Sequence, residues 1–302
     1  MKRYPSCILG TCCVPWDEEG RFAEAIFRRT VRTTLSAGTR HVYVFGTAGE
    51  GYAVTDRQFD QVVAAFCDEM RRAGAEPMVG VISLSLGTIL ERIQRCREDG
   101  VRQFQISLPS WGALNDRELF CFFDSVCGSF PDCQFLHYNL PRAKRIVTGQ
   151  EYGRIADAHP NLVATKNTGD SLTHIQSLLY DAPQLQHFLS ETGYAHGSLL
   201  GECGILASLI MNWPKLHALL DAGKRRDVAA LALIQREVSL VLRTLFETIA
   251  AGRIDPAYDK MFAKMHDPEF PLRLLPPYAG STDEEFRAFV QRLGQRLPEW
   301  VP

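Results

Sequence analysis

The chain alternates short, almost continuously apolar runs with amphipathic helical stretches, and no other feature limits its fold as tightly. β-like runs fall at 7–14, 41–47, 77–83, 103–109, 134–141, 162–166, 186–191 and 204–208. Runs such as Met78-Val79-Gly80-Val81-Ile82 show no polar alternation. A sheet with one wet face would alternate; a parallel sheet covered on both faces does not. Eight β/α units in about 220 residues predict a (β/α)8 TIM barrel of the α/β class. A doubly wound sheet is the alternative, but it seldom needs eight such evenly spaced units.

The helices between the runs carry start and stop signals. Thr55-Asp56-Arg57-Gln58 has the form of a capping box. Its apolar face then runs Phe59, Val62, Val63, Phe66 and Met70, with Gly74 at the end. Residues 88–98 repeat the pattern and stop at Asp99-Gly100. Asn115-Asp116-Arg117-Glu118 opens a helix with Leu119, Phe122, Phe123 and Val126 on one face. Asp170-Ser171 is placed to cap the helix after residue 166. Beyond residue 225 the strands stop. Residues 227–251 read as one long amphipathic helix, and shorter ones follow. The expected division is a barrel over 1–224 and a helical extension over 225–302, packed on the barrel.

Composition narrows the function classes. With 302 residues, 46% apolar and 23% charged, the chain can bury a sizeable core. A net charge of -2 gives no pull toward nucleic acid or anionic membrane. No run approaches the ~20 apolar residues of a membrane-spanning helix. The start of the chain does not read as a signal peptide, because its apolar stretch is short and Pro15 follows. Nine scattered cysteines without a C-x-x-C pair suit reduced thiols in a cytoplasmic protein rather than a disulfide framework or a zinc site. No metal is expected.

In a (β/α)8 barrel the chemistry gathers at the C-terminal ends of the strands. Three of those ends carry unusual residues. The sixth ends in Lys166, directly before Asn167-Thr168-Gly169-Asp170. An ordinary lysine amine has a pKa of ~10.4, so about 0.04% is neutral at pH 7. Burial that lowers the pKa by ~3 units makes roughly a quarter neutral and nucleophilic toward ketones. The competing reading is a lysine that snorkels out to solvent. The second strand ends in Gly46-Thr47-Ala48-Gly49-Glu50-Gly51. This turn offers backbone N–H groups and the Thr47 hydroxyl to an anion, or is simply a tight connection. Its spacing is neither a dinucleotide fingerprint nor a P-loop. The fifth ends in Tyr138-Asn139-Leu140-Pro141, where Tyr138 is either a packed phenol or an acid/base for imine chemistry.

Together and in this order, these three ends resemble the dihydrodipicolinate synthase / N-acetylneuraminate lyase family. Its members are class I Schiff-base lyases on a (β/α)8 barrel with a C-terminal helical extension. The resemblance runs from about Ile8 to Leu220. It implies that Lys166 forms an imine with pyruvate or another 2-oxo acid and that Tyr138 moves protons. It implies that Thr47, with the backbone of Ala48 and Gly49, holds the 2-oxo acid carboxylate. Glu50 would support that turn from behind. Leu206, Glu191 and Trp111 join the expected substrate contacts. No cofactor and no metal are implied, and a homo-oligomer, tetramer or dimer, is the family expectation.

Several positions depart from the family pattern. Ala48 replaces the second threonine of the usual G-T-T-G-E turn and removes one side-chain donor. Pro109-Ser110-Trp111 lacks the phenol that completes a proton relay in the synthases. Ala143 stands where the synthases place an arginine for the aldehyde substrate's carboxylate, which argues against dihydrodipicolinate synthase activity. The turn after Lys166 is one residue shorter than usual. Arg142, Lys144 and Arg145 either reach an anionic substrate tail or form a solvated cluster. Glu191 either binds hydroxyls or caps the next helix. The expected activity is therefore a lyase acting on a 2-oxo acid. It would be an aldolase releasing pyruvate or a dehydratase of a 2-keto-3-deoxy sugar acid. The alternative from another class is a barrel that binds a small metabolite without turnover.

Overall fold

The structure is a computed structural model that describes residues 2–169 and 171–302. Eight parallel strands close into a barrel in the order in which they occur along the chain. They are β1 (Ile8–Thr11), β2 (His41–Val44), β3 (Met78–Gly80), β4 (Gln103–Ile106), β5 (Gln134–Asn139), β6 (Leu162–Asn167), β7 (Gln186–Leu189) and β8 (Gly204–Leu206). Leu9 pairs with Leu206 of β8, which seals the ring. The (β/α)8 expectation is met, and the doubly wound alternative is excluded by this closure.

The helices outside the barrel are α1 (Glu24–Ser36), α2 (Asp56–Arg72), α3 (Leu86–Glu98), α4 (Asp116–Cys127), α5 (Gly149–Ala158), α6 (Leu172–Asp181), α7 (Glu191–Leu200) and α8 (Trp213–Arg225). α2 begins with the expected capping box, Thr55 with Gln58, and α4 opens where expected, with a capping box of Asn115 and Glu118. Ser171 caps α6, while its expected companion Asp170 lies outside the described residues. α3 starts at Leu86 rather than residue 88, because Ser85 accepts from the Thr88 N–H and caps it. The strands are mostly shorter than their apolar runs, since hydrogen-bonded pairing stops where the chain turns toward the next helix.

Past α8 come α9 (Val228–Phe246), α10 (Asp255–His266) and α11 (Asp283–Arg296). The single helix expected over 227–251 is shorter at both ends. Asp227 is the N-cap, and the chain leaves the helix after Phe246. Among the described residues, no helix is long and apolar enough to cross a membrane.

Two apolar layers hold the fold together. Inside the barrel, Leu9, Tyr43, Met78, Leu136, Ala164, Phe188 and Leu206 pack with one another. Between strands and helices lies the larger core, with Phe59, Phe66, Phe104, Phe123 and Phe135 among its fully buried members. β6 divides its residues between the layers. Ala164 and Lys166 face the interior, while the Thr165 hydroxyl bonds the Nδ1 of His187 at 2.7 Å.

Candidate active site

The glycine-rich turn after β2 is built around Phe45, which adopts the left-handed backbone conformation (φ 64°) and stacks on Phe59. A phenylalanine there is strained, and the neighbours must come very close. A Cβ on Gly51 would lie 2.6 Å from the Phe45 carbonyl oxygen, and one on Gly80 only 2.2 Å from it. Close backbone approach thus explains Gly51. The turn spends the Glu50 N–H on Thr47 O and the Gly51 N–H on Gly46 O.

Glu50 does support this turn, and it does so through the C-terminal helices. It is fully buried, with φ 57°. One carboxylate oxygen pairs with Lys260 of α10 and accepts from the Trp16 indole; the other accepts from the Leu275 N–H. The turn after β2 is therefore clamped from outside the barrel. Lys260 could not be found from sequence, because it lies 210 residues away on an otherwise ordinary amphipathic helix.

Lys166 is 3% exposed and does not snorkel. Its Nζ lies 3.7 Å from the ring centroid of Tyr138 and 4.5 Å from that of Tyr43. It donates to the Tyr43 phenol oxygen at 2.7 Å. Burial lowers its pKa from the usual lysine value to about 7, opposed by the carboxyl groups of Asp259 and Asp255. The Thr47 hydroxyl donates to the Tyr138 phenol oxygen at 3.4 Å. Burial raises the Tyr138 pKa to about 12, with the Thr47 bond pulling the other way. Tyr138 therefore keeps its proton at neutral pH.

These groups line a cleft of about 480 Å³ at the C-terminal end of the barrel. Thr47, Ala48, Tyr138, Lys166, Glu191 and Leu206 all face it, together with Tyr43, Arg142, Asp255 and Asp259. A second chamber of about 210 Å³ adjoins it across Thr47, Leu140 and Arg142. Its walls are mostly apolar, from Ile82, Leu84, Leu108, Ile254 and Tyr278, and Ala143 is among them.

Three expectations need correction. Trp111 does not line the cleft; its side chain is 84% exposed and its carbonyl accepts from Lys144. Glu191 does not cap α7, since Ser190 does. The buried carboxylate of Glu191 instead accepts from the N–H groups of Ser208 and Leu209 after β8, at 2.6 and 2.8 Å. The basic segment is not simply solvated. Arg142 makes a two-pronged pair with Asp255, and Arg145 pairs with Asp116 and Glu151.

Sequence reasoning missed Tyr43, Asp255 and Asp259. Tyr43 reads as one more apolar residue of a buried strand. The two aspartates sit four residues apart at the start of α10, a spacing that puts them on one helix face, but nothing in the sequence aims that face at the barrel mouth.

Fold and site together define a (β/α)8 barrel whose interior lysine is a buried, depressed-pKa amine beside a phenol. The dihydrodipicolinate synthetase family model matches residues 5–290, and the chain belongs to that family, whose members are class I aldolase-type lyases. A curated relative, the 4-hydroxy-tetrahydrodipicolinate synthase of Thermus thermophilus, is 30% identical over 208 residues, 67% of this chain and 68% of the relative. Solved structures share the fold. One is YagE from E. coli K12 in complex with pyruvate (TM-score 0.85, 17% identity, 96% of this chain and 98% of that one). Another is a 2-keto-3-deoxygluconate aldolase from Sulfolobus in complex with D-KDPG (TM-score 0.84, 14% identity, 98% of each chain).

Proposed function

We propose that this enzyme is a lyase that holds a 2-oxo acid as an imine on Lys166 and makes or breaks a carbon–carbon bond next to it. The observation that carries this is the buried Lys166 amine, with a pKa of about 7, set between two phenols at the base of a cleft. About half of such an amine is neutral at pH 7, so it attacks a ketone carbonyl directly. The iminium that follows is an electron sink, and it stabilises the enamine left by C–C cleavage or proton loss.

Tyr138 is the acid for imine formation. It retains its proton, faces the cleft, and has the Thr47 hydroxyl on its oxygen. Thr47 and the backbone of Ala48 and Gly49 form the carboxylate end of the pocket. Leu206 contributes an apolar wall. Glu191 shapes the far side by holding the loop after β8.

Among the activities of this kind, we favour aldol chemistry with pyruvate over dihydrodipicolinate synthesis. Ala143 supplies no guanidinium to the adjoining chamber, and Arg142 is already engaged by Asp255. An acceptor whose tail enters there, with its carbonyl in the main cleft beside Lys166, meets mostly apolar walls. Dehydration of a 2-keto-3-deoxy sugar acid uses the same imine and remains the second reading, favoured by the hydroxyls and carboxyls around the main cleft. The test is incubation with pyruvate and borohydride, followed by intact mass and peptide mapping. A reduced adduct on Lys166 supports the reading. Absence of an adduct with pyruvate and with a panel of 2-oxo acids would sink it, leaving a non-catalytic binding barrel.

A further inference from the structure

Asp255 and Asp259 both reach the cleft from α10, but their surroundings differ. Asp255 is held by both Arg142 guanidinium N–H groups and by the Tyr258 hydroxyl. Asp259 is 6% exposed, and among the described residues its carboxyl has no hydrogen-bond or ion-pair partner. A buried carboxyl without a partner is costly, and such groups cluster where a ligand completes them. Its proton is held by burial and by the Asp255 charge, which together raise its pKa well above the usual carboxyl range. Lys166, Glu191 and Arg142 also act on it electrostatically.

The other acid/base candidates that line the main cleft are already engaged. Tyr43 accepts from Lys166, and Glu191 holds the Ser208 and Leu209 N–H groups. The loop after β4 sends Trp111 outward and brings no phenol. Without Asp259, Tyr138 would be the one group of the main cleft left to serve both imine formation and the carbon–carbon step.

We propose that Asp259 is the acid and base of the carbon–carbon step, acting on the oxygen of the aldehyde partner. This rests on the imine reading above. In the condensation direction the Lys166 enamine attacks the aldehyde carbon, and its electron pair becomes the new C–C bond. The aldehyde π pair moves onto oxygen, which takes the proton of Asp259, while nitrogen becomes an iminium. The Asp259 carboxylate then faces a cation, so the two new charges stabilise each other. One water hydrolyses the iminium to ketone and amine, and the proton released returns to Asp259. Cleavage runs the same steps backward, with the carboxylate taking the hydroxyl proton.

The experiment compares the full-length wild type with Asp259→Asn in two assays. Deuterium exchange at C3 of pyruvate, read by NMR, reports imine and enamine formation. Condensation of pyruvate with glyceraldehyde and with benzaldehyde reports the carbon–carbon step. The expected result is exchange within a few-fold of wild type and condensation lowered by about 100-fold or more, the usual share of a general acid. A parallel fall in both rates, or condensation close to wild type, overturns the proposal. So does a wild type that exchanges deuterium but condenses neither aldehyde. A wild type without exchange refutes the imine reading itself. Should Asp259→Asn not fold, Asp259→Ala with added formate decides. Restored condensation with exchange unmoved supports the role, and no restoration overturns it.

Discussion

The Nζ of Lys166 lies 2.7 Å from the phenol oxygen of Tyr43, a residue four strands away around the barrel. β2 and β6 do not pair, so only barrel closure brings the two side chains together. The contact fixes the amine at the base of the cleft, while Tyr138 stands against its other side.

If that contact orients the amine, Tyr43→Phe and Tyr138→Phe should differ. Removing the Tyr138 hydroxyl deletes an acid and should lower borohydride trapping by about 100-fold. Removing the Tyr43 hydroxyl deletes only an acceptor and should lower it by roughly tenfold, as expected for the loss of one hydrogen bond worth ~1–1.5 kcal/mol. Rates of pyruvate trapping at fixed pH check both. Equal losses would place Tyr43 in the proton path.

Trapping should follow the titration of Lys166. Its folded-state pKa, about 7, lies below the usual value of 10.5. The rate should rise about tenfold per pH unit below 7 and level off above it, because only the neutral amine attacks. Initial rates over pH 5–9 measure this, and a midpoint near 10 would refute a depressed amine.

The same shift has a stability consequence. Between pH 7 and 10.5 the unfolded chain holds a proton on Lys166 that the folded chain has released, so stability rises with pH across this window. Below pH 7 both states are protonated, and the full cost of burying the amine is present. Lys166→Met should raise apparent melting temperature near pH 6 and flatten this part of the pH dependence, while abolishing the pyruvate adduct. Unchanged melting in the variant would contradict the argument.

The Glu50–Lys260 pair should matter through what its loss leaves behind. Both side chains are fully buried. Lys260→Met strands the Glu50 carboxylate and should cost about 3–5 kcal/mol, whereas pairing it with Glu50→Gln should recover part of that. Chemical denaturation of the single and double variants tests the coupling, and additive effects would show that the pair is not coupled.

The sequence by itself determined the architecture and half of the site. Two-sided apolar runs at regular spacing allow few arrangements other than a closed parallel barrel. Side chains at the C-terminal strand ends must then share one mouth, so Lys166, Tyr138 and Thr47 were legible as a group. The tertiary structure decided the rest. Whether Lys166 is a reactive amine depends on its desolvation, which the whole barrel interior produces and no local motif records. Tyr43 is chemically distinct from its strand neighbours only because its ring meets Lys166. Lys260, Asp255 and Asp259 lie in ordinary amphipathic helix, and their roles arise from where α10 docks. Trp111 shows the converse: it sits beside a strand end in sequence, yet its loop turns it to solvent. Strand periodicity is a local property that a chain displays residue by residue, whereas burial and long-range pairing exist only once distant segments have packed.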